Sequence, residues 1–244
     1  MKTDILAFGA HPDDIELSCA GTLLVEQQLG KTTVVIDLTQ GELGTRGNEH
    51  TRLEEATNAS KILKISSREN LKMRDGFFVN DEAHQKIIIN SIRKYQPELI
   101  LCNAPDDRHP DHGRAAKLIS DAAFLSGLLK IKTYNVLGAD QMPWRPKYVL
   151  HYVQDRYLKP DVIIDISAVI AEKIEAIKAY KTQFYDAQST DHNQTYISTP
   201  EFLDGIIARA AMFGKMIGVK YGEGYLSKKT IGISSFEALI KNNT

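Results

Sequence analysis

The sequence lacks the features that mark secreted and membrane-spanning proteins. It has two cysteines, Cys19 and Cys102, too few for the disulfide framework of a small secreted domain. No apolar segment approaches the roughly 20 residues that a membrane helix needs, and the first residues lack the hydrophobic region of a signal peptide. We therefore expect a cytoplasmic protein without a membrane partner, in which both cysteines are small buried hydrophobic residues.

An excess of charge of either sign is also missing. The chain has 30 basic and 31 acidic residues, a formal net charge of −1, and no lysine or arginine run of the kind that binds nucleic acid. We therefore expect no nucleic-acid partner. With 43% hydrophobic and 25% charged residues the composition is that of a globular protein, and the length fits a single domain over residues 1–244.

Short apolar strands alternate with amphipathic helices along the chain. The predicted strands cover residues 4–10, 33–38, 98–102, 147–153 and 161–166. The predicted helices cover residues 22–29, 48–63, 82–95, 113–129, 168–180 and 200–217. This alternation predicts an α/β fold: a Rossmann-like, mostly parallel sheet with helices on both faces.

Three details of this pattern are expectations that a structure can check. Leu53 is expected on the apolar face of the helix 48–63. Ser167 is expected to cap the helix 168–180. The polar segment 184–199 is expected to form a long loop, either a functional lid or a disordered connection.

Two short motifs rich in histidine and aspartate follow two of the predicted strands. His11-Pro12-Asp13-Asp14 follows the first strand, and His109-Pro110-Asp111-His112 follows the strand at residues 98–102. Ligands of open α/β sheets gather at the carboxyl ends of the strands, so both motifs can face one crevice and the active site is expected there. Two imidazoles and one carboxylate, with a coordination position left open for water, make a hydrolytic zinc site.

The residues of the two motifs can divide the work of hydrolysis. A turn can direct His11 and Asp14 at one metal ion while Asp13 faces the water bound there, and His112 can complete the ligand set. Zinc lowers the pKa of such a water from near 16 towards about 7. His109 then lies beside the metal, where an imidazolium can stabilise negative charge or protonate a leaving group. Zn²⁺ suits these ligands, and Fe²⁺ fits the same set.

These motifs resemble those of the PIG-L (LmbE-like) family of zinc-dependent N-acetylglucosamine deacetylases. The similarity covers most of the chain, because it continues through Gly21-Thr22-Leu23, residues 39–47, 52–56 and 222–225. It is strongest to the branch that removes acetate from N-acetylglucosaminyl-malate in bacillithiol biosynthesis. A chito-oligosaccharide or another N-acetylglucosaminide is the alternative substrate.

The resemblance implies a role for each motif residue. The implied metal ligands are His11, Asp14 and His112. The resemblance further implies that Asp13 is the general base and that His109 is the electrophilic or general-acid histidine, oriented by Asp111. Arg52 would lie in the sugar pocket and bind a hydroxyl of the glucosamine. The implied partner is a small acetylated amino sugar, and the implied assembly is a homo-oligomer, with a hexamer suggested by the family.

One position departs from the pattern of the mycothiol-pathway relatives. Those relatives have a tyrosine two residues ahead of the first histidine of the second motif, where this chain has Asp107. The role of that tyrosine therefore does not transfer. The neighbouring Arg108 becomes a candidate for binding an acidic aglycone such as malate, and the alternative is an ion pair with Asp106 or Asp107.

Other interpretations compete with a deacetylase. Two histidines and a carboxylate also hold non-haem iron in oxygenases, and a sugar-binding module without catalysis would leave Asp13 unused. The glycines at 41, 44 and 47 are expected to form a flexible substrate loop; phosphate binding is the alternative. His50, His84 and His151 are expected to be structural or surface residues, whereas His192 lies in the candidate lid.

Overall fold

The computed structural model describes residues 2–188 and 192–237. Its strands are β1 (Ile5–Gly9), β2 (Thr33–Thr39), β3 (Ser67–Met73), β4 (Leu99–Cys102), β5 (Tyr148–Tyr152), β6 (Val162–Asp165) and β7 (Gly222–Ser227). Its helices are α1 (Asp14–Ser18), α2 (Ala20–Gln28), α3 (Glu49–Ile62), α4 (Glu82–Tyr95), α5 (Pro110–Leu125), α6 (Ile170–Lys178) and α7 (Pro200–Ile217).

The seven strands form one sheet in the order β3-β2-β1-β4-β5-β7-β6. The pairings from β3 across to β5 are parallel, and β7 runs antiparallel to both of its neighbours. The mostly parallel α/β sheet is thereby confirmed. Since strands from both ends of the chain share this sheet, it accords with a single domain, which stays a prediction for residues 1–244.

The central strand β1 is buried on both faces of the sheet. Leu6 and Phe8 pack into one core cluster with Ile92 of α4 and with α5. Ile5 and Ala7 belong to a second cluster, on the side of α1 and α2. Successive side chains of a strand point to opposite faces, so this alternation shows that helices cover both faces, as predicted.

Several local features differ from the sequence-based expectations. Helix α5 begins at Pro110 because His109 is its N-cap. Ser167 caps no helix: α6 begins at Ile170, and the Ser167 hydroxyl instead accepts the backbone N–H of Tyr221 at 3.0 Å. Leu53 is 59% exposed, so its assignment to the buried face of α3 was wrong.

Within the described residues, no helix is long and apolar enough to span a bilayer. Cys19 and Cys102 are free and buried, as expected of small hydrophobic residues.

Candidate active site

The two histidine-aspartate motifs meet at the carboxyl ends of β1 and β4. The first forms the turn from β1 into α1, and the second forms the start of α5. Residues of both motifs line one cleft of about 230 Å³. A larger groove of about 530 Å³ lies along α3 and β3, but no histidine lines it. The smaller cleft is therefore the candidate active site.

Three imidazoles converge in this cleft. The ring centroids of His11 and His109 lie 4.6 Å apart, those of His109 and His112 lie 5.3 Å apart, and those of His11 and His112 lie 5.6 Å apart. The parallel sheet thus brings together the side chains that the motif spacing placed in one crevice.

The Asp14 carboxylate lies between two of these rings. Its Oδ1 is 3.2 Å from Nε2 of His112, and its Oδ2 is 3.8 Å from Nδ1 of His11. Two ligand atoms of a tetrahedral ion with bonds of about 2.1 Å lie about 3.4 Å apart. The distance between Asp14 and His112 is near this value, and His11 approaches the second oxygen of the same carboxylate, so His11, Asp14 and His112 are candidate ligands of a divalent ion of the size of Zn²⁺.

Two sets of three residues in the described part of the chain offer ligand atoms that all lie within 4.8 Å of one another; both contain His11 and neither contains Asp14. One is the three imidazoles, and the other joins His11 to Asp75 and Asp111. The carboxylates of Asp75 and Asp111 lie 3.0 and 3.3 Å from Nε2 of His11. They hold the ring by that nitrogen and leave Nδ1 on the side of Asp14.

Asp107 orients His112 in the same manner. Its Oδ2 lies 2.5 Å from Nδ1 of His112, and its Oδ1 accepts the backbone N–H groups of Asp155 and Arg156. A carboxylate on one ring nitrogen fixes the tautomer and aims the other nitrogen at the metal. The residue that replaces the relatives' tyrosine thus contacts a candidate metal ligand.

Buried carboxylates raise the pKa values of two imidazoles in this cleft. Burial opposes the cationic form of His11, but its hydrogen bonds to the carboxylates of Asp111 and Asp75 outweigh burial and raise the pKa of His11 to about 10. Burial is likewise outweighed at His112, whose pKa rises to about 9 beside Asp14 and Asp107. A metal ion bound by these two imidazoles would have to displace their protons, so its affinity would fall with the pH.

Asp13 has an unusual backbone and a raised pKa. Its φ is 122°, a region that non-glycine residues rarely adopt and that often marks functional sites. Burial raises the pKa of its carboxyl to about 7, against the opposing effect of Arg52. A general base works best with a pKa near the operating pH, so Asp13 suits that role.

Arg52 lies in the cleft, as expected, but its guanidinium already has protein partners. Nη2 donates to Oδ2 of Asp13 at 3.0 Å and to the carbonyl of Pro12, and Nη1 donates to Oε1 of Gln183 at 3.0 Å. Its observed contacts therefore position Asp13.

His109 is not oriented as expected. In the described residues the Asp111 carboxylate contacts His11, the backbone N–H of Gly76 and the side chain of Arg114, but not His109. The contact to His109 comes from the backbone N–H of Asp111, which donates to Nδ1 at 3.3 Å. Burial and the cationic imidazoles nearby lower the pKa of His109 to about 4, so its resting form at neutral pH is uncharged.

Arg108 lies at the mouth of the cleft. Its Nε is 3.5 Å from Oδ2 of Asp155, and its guanidinium stacks on the ring of Tyr196, 4.3 Å from the ring centroid. The alternative of an ion-paired arginine thus holds with a different partner, Asp155, since Asp106 pairs with Arg156 and Asp107 contacts His112.

The remaining histidines lie away from the convergent set. His151 is buried, with Nδ1 2.8 Å from the carbonyl of Asn103, whereas His50 and His84 lie on helices. His192 is exposed and lines a separate cavity. Ile197 of the polar segment reaches the cleft, but positions 189–191 of that segment lie outside the described residues.

Sequence patterns alone did not identify several cleft residues. These are Asp75, Asn103, Gln154 and Gln183, all buried. Asp75 follows β3, a strand that was not predicted, and Gln154 follows β5 without a motif around it. For Asn103 a signal existed, since it directly follows the predicted strand that precedes the second motif.

The proteins to which this chain is similar include deacetylases. The profile of the PIG-L family, described as GlcNAc-PI de-N-acetylase, matches residues 6–123. The diacetylchitobiose deacetylase of Thermococcus kodakarensis is 28% identical over 231 residues, which cover 90% of this chain and 81% of that protein. A probable N-acetyl-alpha-D-glucosaminyl L-malate deacetylase 2 of Bacillus subtilis is 26% identical, covering 75% of this chain and 84% of that protein.

The fold matches solved structures as well. The crystal structure of a conserved protein from Thermus thermophilus superposes with a TM-score of 0.83 at 29% identity. The match covers 95% of this chain and 98% of that one.

Proposed function

We propose that this chain, whose residues 6–123 match the profile of the PIG-L family, hydrolyses the acetamide of N-acetylglucosaminyl-malate to glucosaminyl-malate and acetate. The proposed metal is Zn²⁺, with Fe²⁺ as the alternative, held by His11, Asp14 and His112. The observation that carries this proposal is the convergence of those three groups beside a strained, buried carboxylate, Asp13. Release of acetate from the malate conjugate by the metal-loaded protein tests it.

Each side chain has a defined part in this reaction. A bound Zn²⁺ would supply Lewis-acid chemistry, activating water and polarising the acetamide carbonyl. Asp13 takes the proton of the attacking water and returns it to the glucosamine nitrogen as the C–N bond breaks, so that acetate and the free amine leave. Arg52 holds Oδ2 of Asp13, and no described residue donates to Oδ1, so that oxygen is available as the acceptor.

His109 supplies a hydrogen bond to the developing oxyanion. A neutral imidazole that accepts the Asp111 backbone N–H at Nδ1 carries its own hydrogen at Nε2. That N–H is a donor, and a fixed donor is most valuable where charge develops in the transition state. The imidazole can take up a proton only during turnover, because its pKa of about 4 leaves it uncharged at rest.

Replacing His109 by alanine is expected to lower kcat by about 10²–10³ with a smaller change in KM, because the lost hydrogen bond matters most in the transition state. Steady-state kinetics and the metal content of the same sample are the measurements. Retained metal with low kcat supports the donor role. Loss of the metal would instead make His109 a ligand, as in the alternative set of three imidazoles.

The malate assignment depends on Arg108. Tyr196 covers one face of the guanidinium and Asp155 faces Nε. Nη1 and Nη2 donate no hydrogen bond to a described residue, so this edge can offer a carboxylate two parallel hydrogen bonds. The ring of Tyr196 is itself held, since its hydroxyl donates to Oδ1 of Asp155 at 3.1 Å.

Replacing Arg108 by alanine is expected to lower kcat/KM on the malate conjugate by at least about tenfold more than on plain N-acetylglucosamine, which has no carboxylate to bind. Arg156→Ala is the matched control, because Arg156 pairs with the exposed Asp106. If the ratio of kcat/KM for the malate conjugate to that for N-acetylglucosamine is unchanged in Arg108→Ala, Arg108 does not recognise the malate.

A chito-oligosaccharide is the second candidate substrate. It is favoured by the similarity to the diacetylchitobiose deacetylase, which extends over 90% of this chain. Comparing kcat/KM for diacetylchitobiose and the malate conjugate decides between the two. We also propose a cytoplasmic homo-oligomer, with a hexamer suggested by the family, which light scattering of the purified protein tests.

A further inference from the structure

The carboxylate of Asp14 is held by donors on both of its oxygens. Oδ2 accepts the backbone N–H of His11 at 3.0 Å and Nδ2 of Asn103 at 2.9 Å. Oδ1 accepts Nε2 of Gln154 at 2.6 Å. These contacts are distinct from the contact of Oδ1 to His112.

The two amides are linked to each other and to the backbone. Oε1 of Gln154 accepts Nδ2 of Asn103 at 3.2 Å, and Oδ1 of Asn103 accepts the backbone N–H of Ala10 at 3.0 Å. Asn103 follows β4, Gln154 follows β5 and Ala10 follows β1. The network therefore ties together the carboxyl ends of three adjacent parallel strands, and both side chains are buried.

Counting lone pairs shows what these contacts leave for a metal ion. Each carboxylate oxygen has two acceptor sites. Both sites of Oδ2 are taken, by His11 and Asn103, and one site of Oδ1 is taken by Gln154. The remaining site of Oδ1 lies on the side of Nε2 of His112, 3.2 Å away.

We propose that Gln154 and Asn103 are positioning residues that make Asp14 a ligand through a single oxygen. This inference rests on the metal site of the proposed function. By holding both oxygens, the two amides prevent the carboxylate from rotating to bind the ion with both, and they keep Oδ1 beside His112. Partners of this kind typically change metal affinity by about 10- to 100-fold when removed.

Gln183 offers a matched control. It is a buried glutamine that lines the same cleft, but its amide contacts Arg52, the carbonyl of Arg46 and Thr182, and none of the candidate ligands. Methionine replaces glutamine at nearly the same length without the donor. Gln154→Met and Gln183→Met thus differ only in which cleft contact is lost.

The experiment is competition between each protein and a chelator for Zn²⁺, with the visible spectrum of the Co²⁺-loaded protein as the second readout. Gln154→Met is expected to raise the Kd for Zn²⁺ by about 10- to 100-fold and to shift the Co²⁺ band. Gln183→Met is expected to keep both within the wild-type range. In Gln154→Asn the side chain is too short for its amide to reach Asp14, so this variant is expected to behave as Gln154→Met. It replaces the methionine variant in the experiment if that variant does not fold.

The outcomes separate this inference from the proposed function. Wild-type Kd and spectrum in a folded Gln154 variant would overturn the positioning role while leaving the metal site intact. An equal loss in Gln183→Met would also overturn it, because the effect would then be general to the cleft. A wild-type protein that binds no Zn²⁺ would overturn the proposed metal site and this inference together.

Discussion

Replacing His112 by alanine is expected to remove metal and activity together. Nε2 of His112 lies 3.2 Å from Oδ1 of Asp14, and Asp107 holds the opposite ring nitrogen. Losing the imidazole removes one of three proposed protein ligands and leaves the buried Asp107 carboxylate without its partner. We expect metal affinity to fall by at least about 100-fold and kcat/KM to fall by at least about 10³.

Metal analysis after dialysis, with steady-state kinetics on the same samples, measures this effect. His84→Ala is the control, because His84 lies on α4 and pairs with Asp81 rather than with any residue of the cleft. The control should keep its metal and its activity. Full metal content in the His112 variant would contradict the ligand assignment.

Replacing Asp13 by asparagine is expected to lower kcat by about 10²–10⁴ while the metal stays bound. Asparagine has nearly the same shape and can still accept the Arg52 hydrogen bond, but it cannot take a proton from water. The fall in kcat should therefore reflect a slower chemical step. Asp106→Asn, which changes an exposed partner of Arg156, is the control. Near-normal turnover with intact metal would show that another group activates the water.

The dependence of activity on pH is expected to follow the ionisation of the Asp13 carboxyl. Burial raises the pKa of Asp13 to about 7, and only the ionised form accepts a proton. Activity is therefore lost as the pH falls through that pKa. A metal cation nearby favours the ionised form, so we expect the acid limb of kcat/KM at or below about pH 7. In Asp13→Asn the part of this limb that belongs to Asp13 should disappear.

The sequence predicts the buried parts of the fold well, because their pattern is local. Helix α4 runs over Glu82–Tyr95, as its apolar spacing indicates, with Asp81 as the cap. Strand β3 was missed because it lies at the edge of the sheet and reads Ser-Arg-Glu-Asn-Leu-Lys-Met, with few apolar side chains. Strand β7 was missed because two glycines dilute its apolar pattern.

In the candidate site, too, some contacts were predictable from the sequence and others were not. The convergence of the two motifs was predictable, because each follows a strand and parallel strands end at one edge of the sheet. The partners of the motifs were not. Asp75 reaches His11 across 64 positions of sequence, and Gln154 reaches Asp14 across 140. No local pattern specifies such contacts, since they follow from the order of strands in the sheet.

We propose that this chain removes the acetyl group of N-acetylglucosaminyl-malate with a metal held by His11, Asp14 and His112. Mass spectrometry of that substrate, incubated with Zn²⁺-loaded protein and with a chelated sample, tests it most directly. We expect free acetate, and a product in which hydrogen replaces the acetyl group, in the loaded sample alone. An unchanged substrate with fully loaded protein, or equal turnover after chelation, would contradict it.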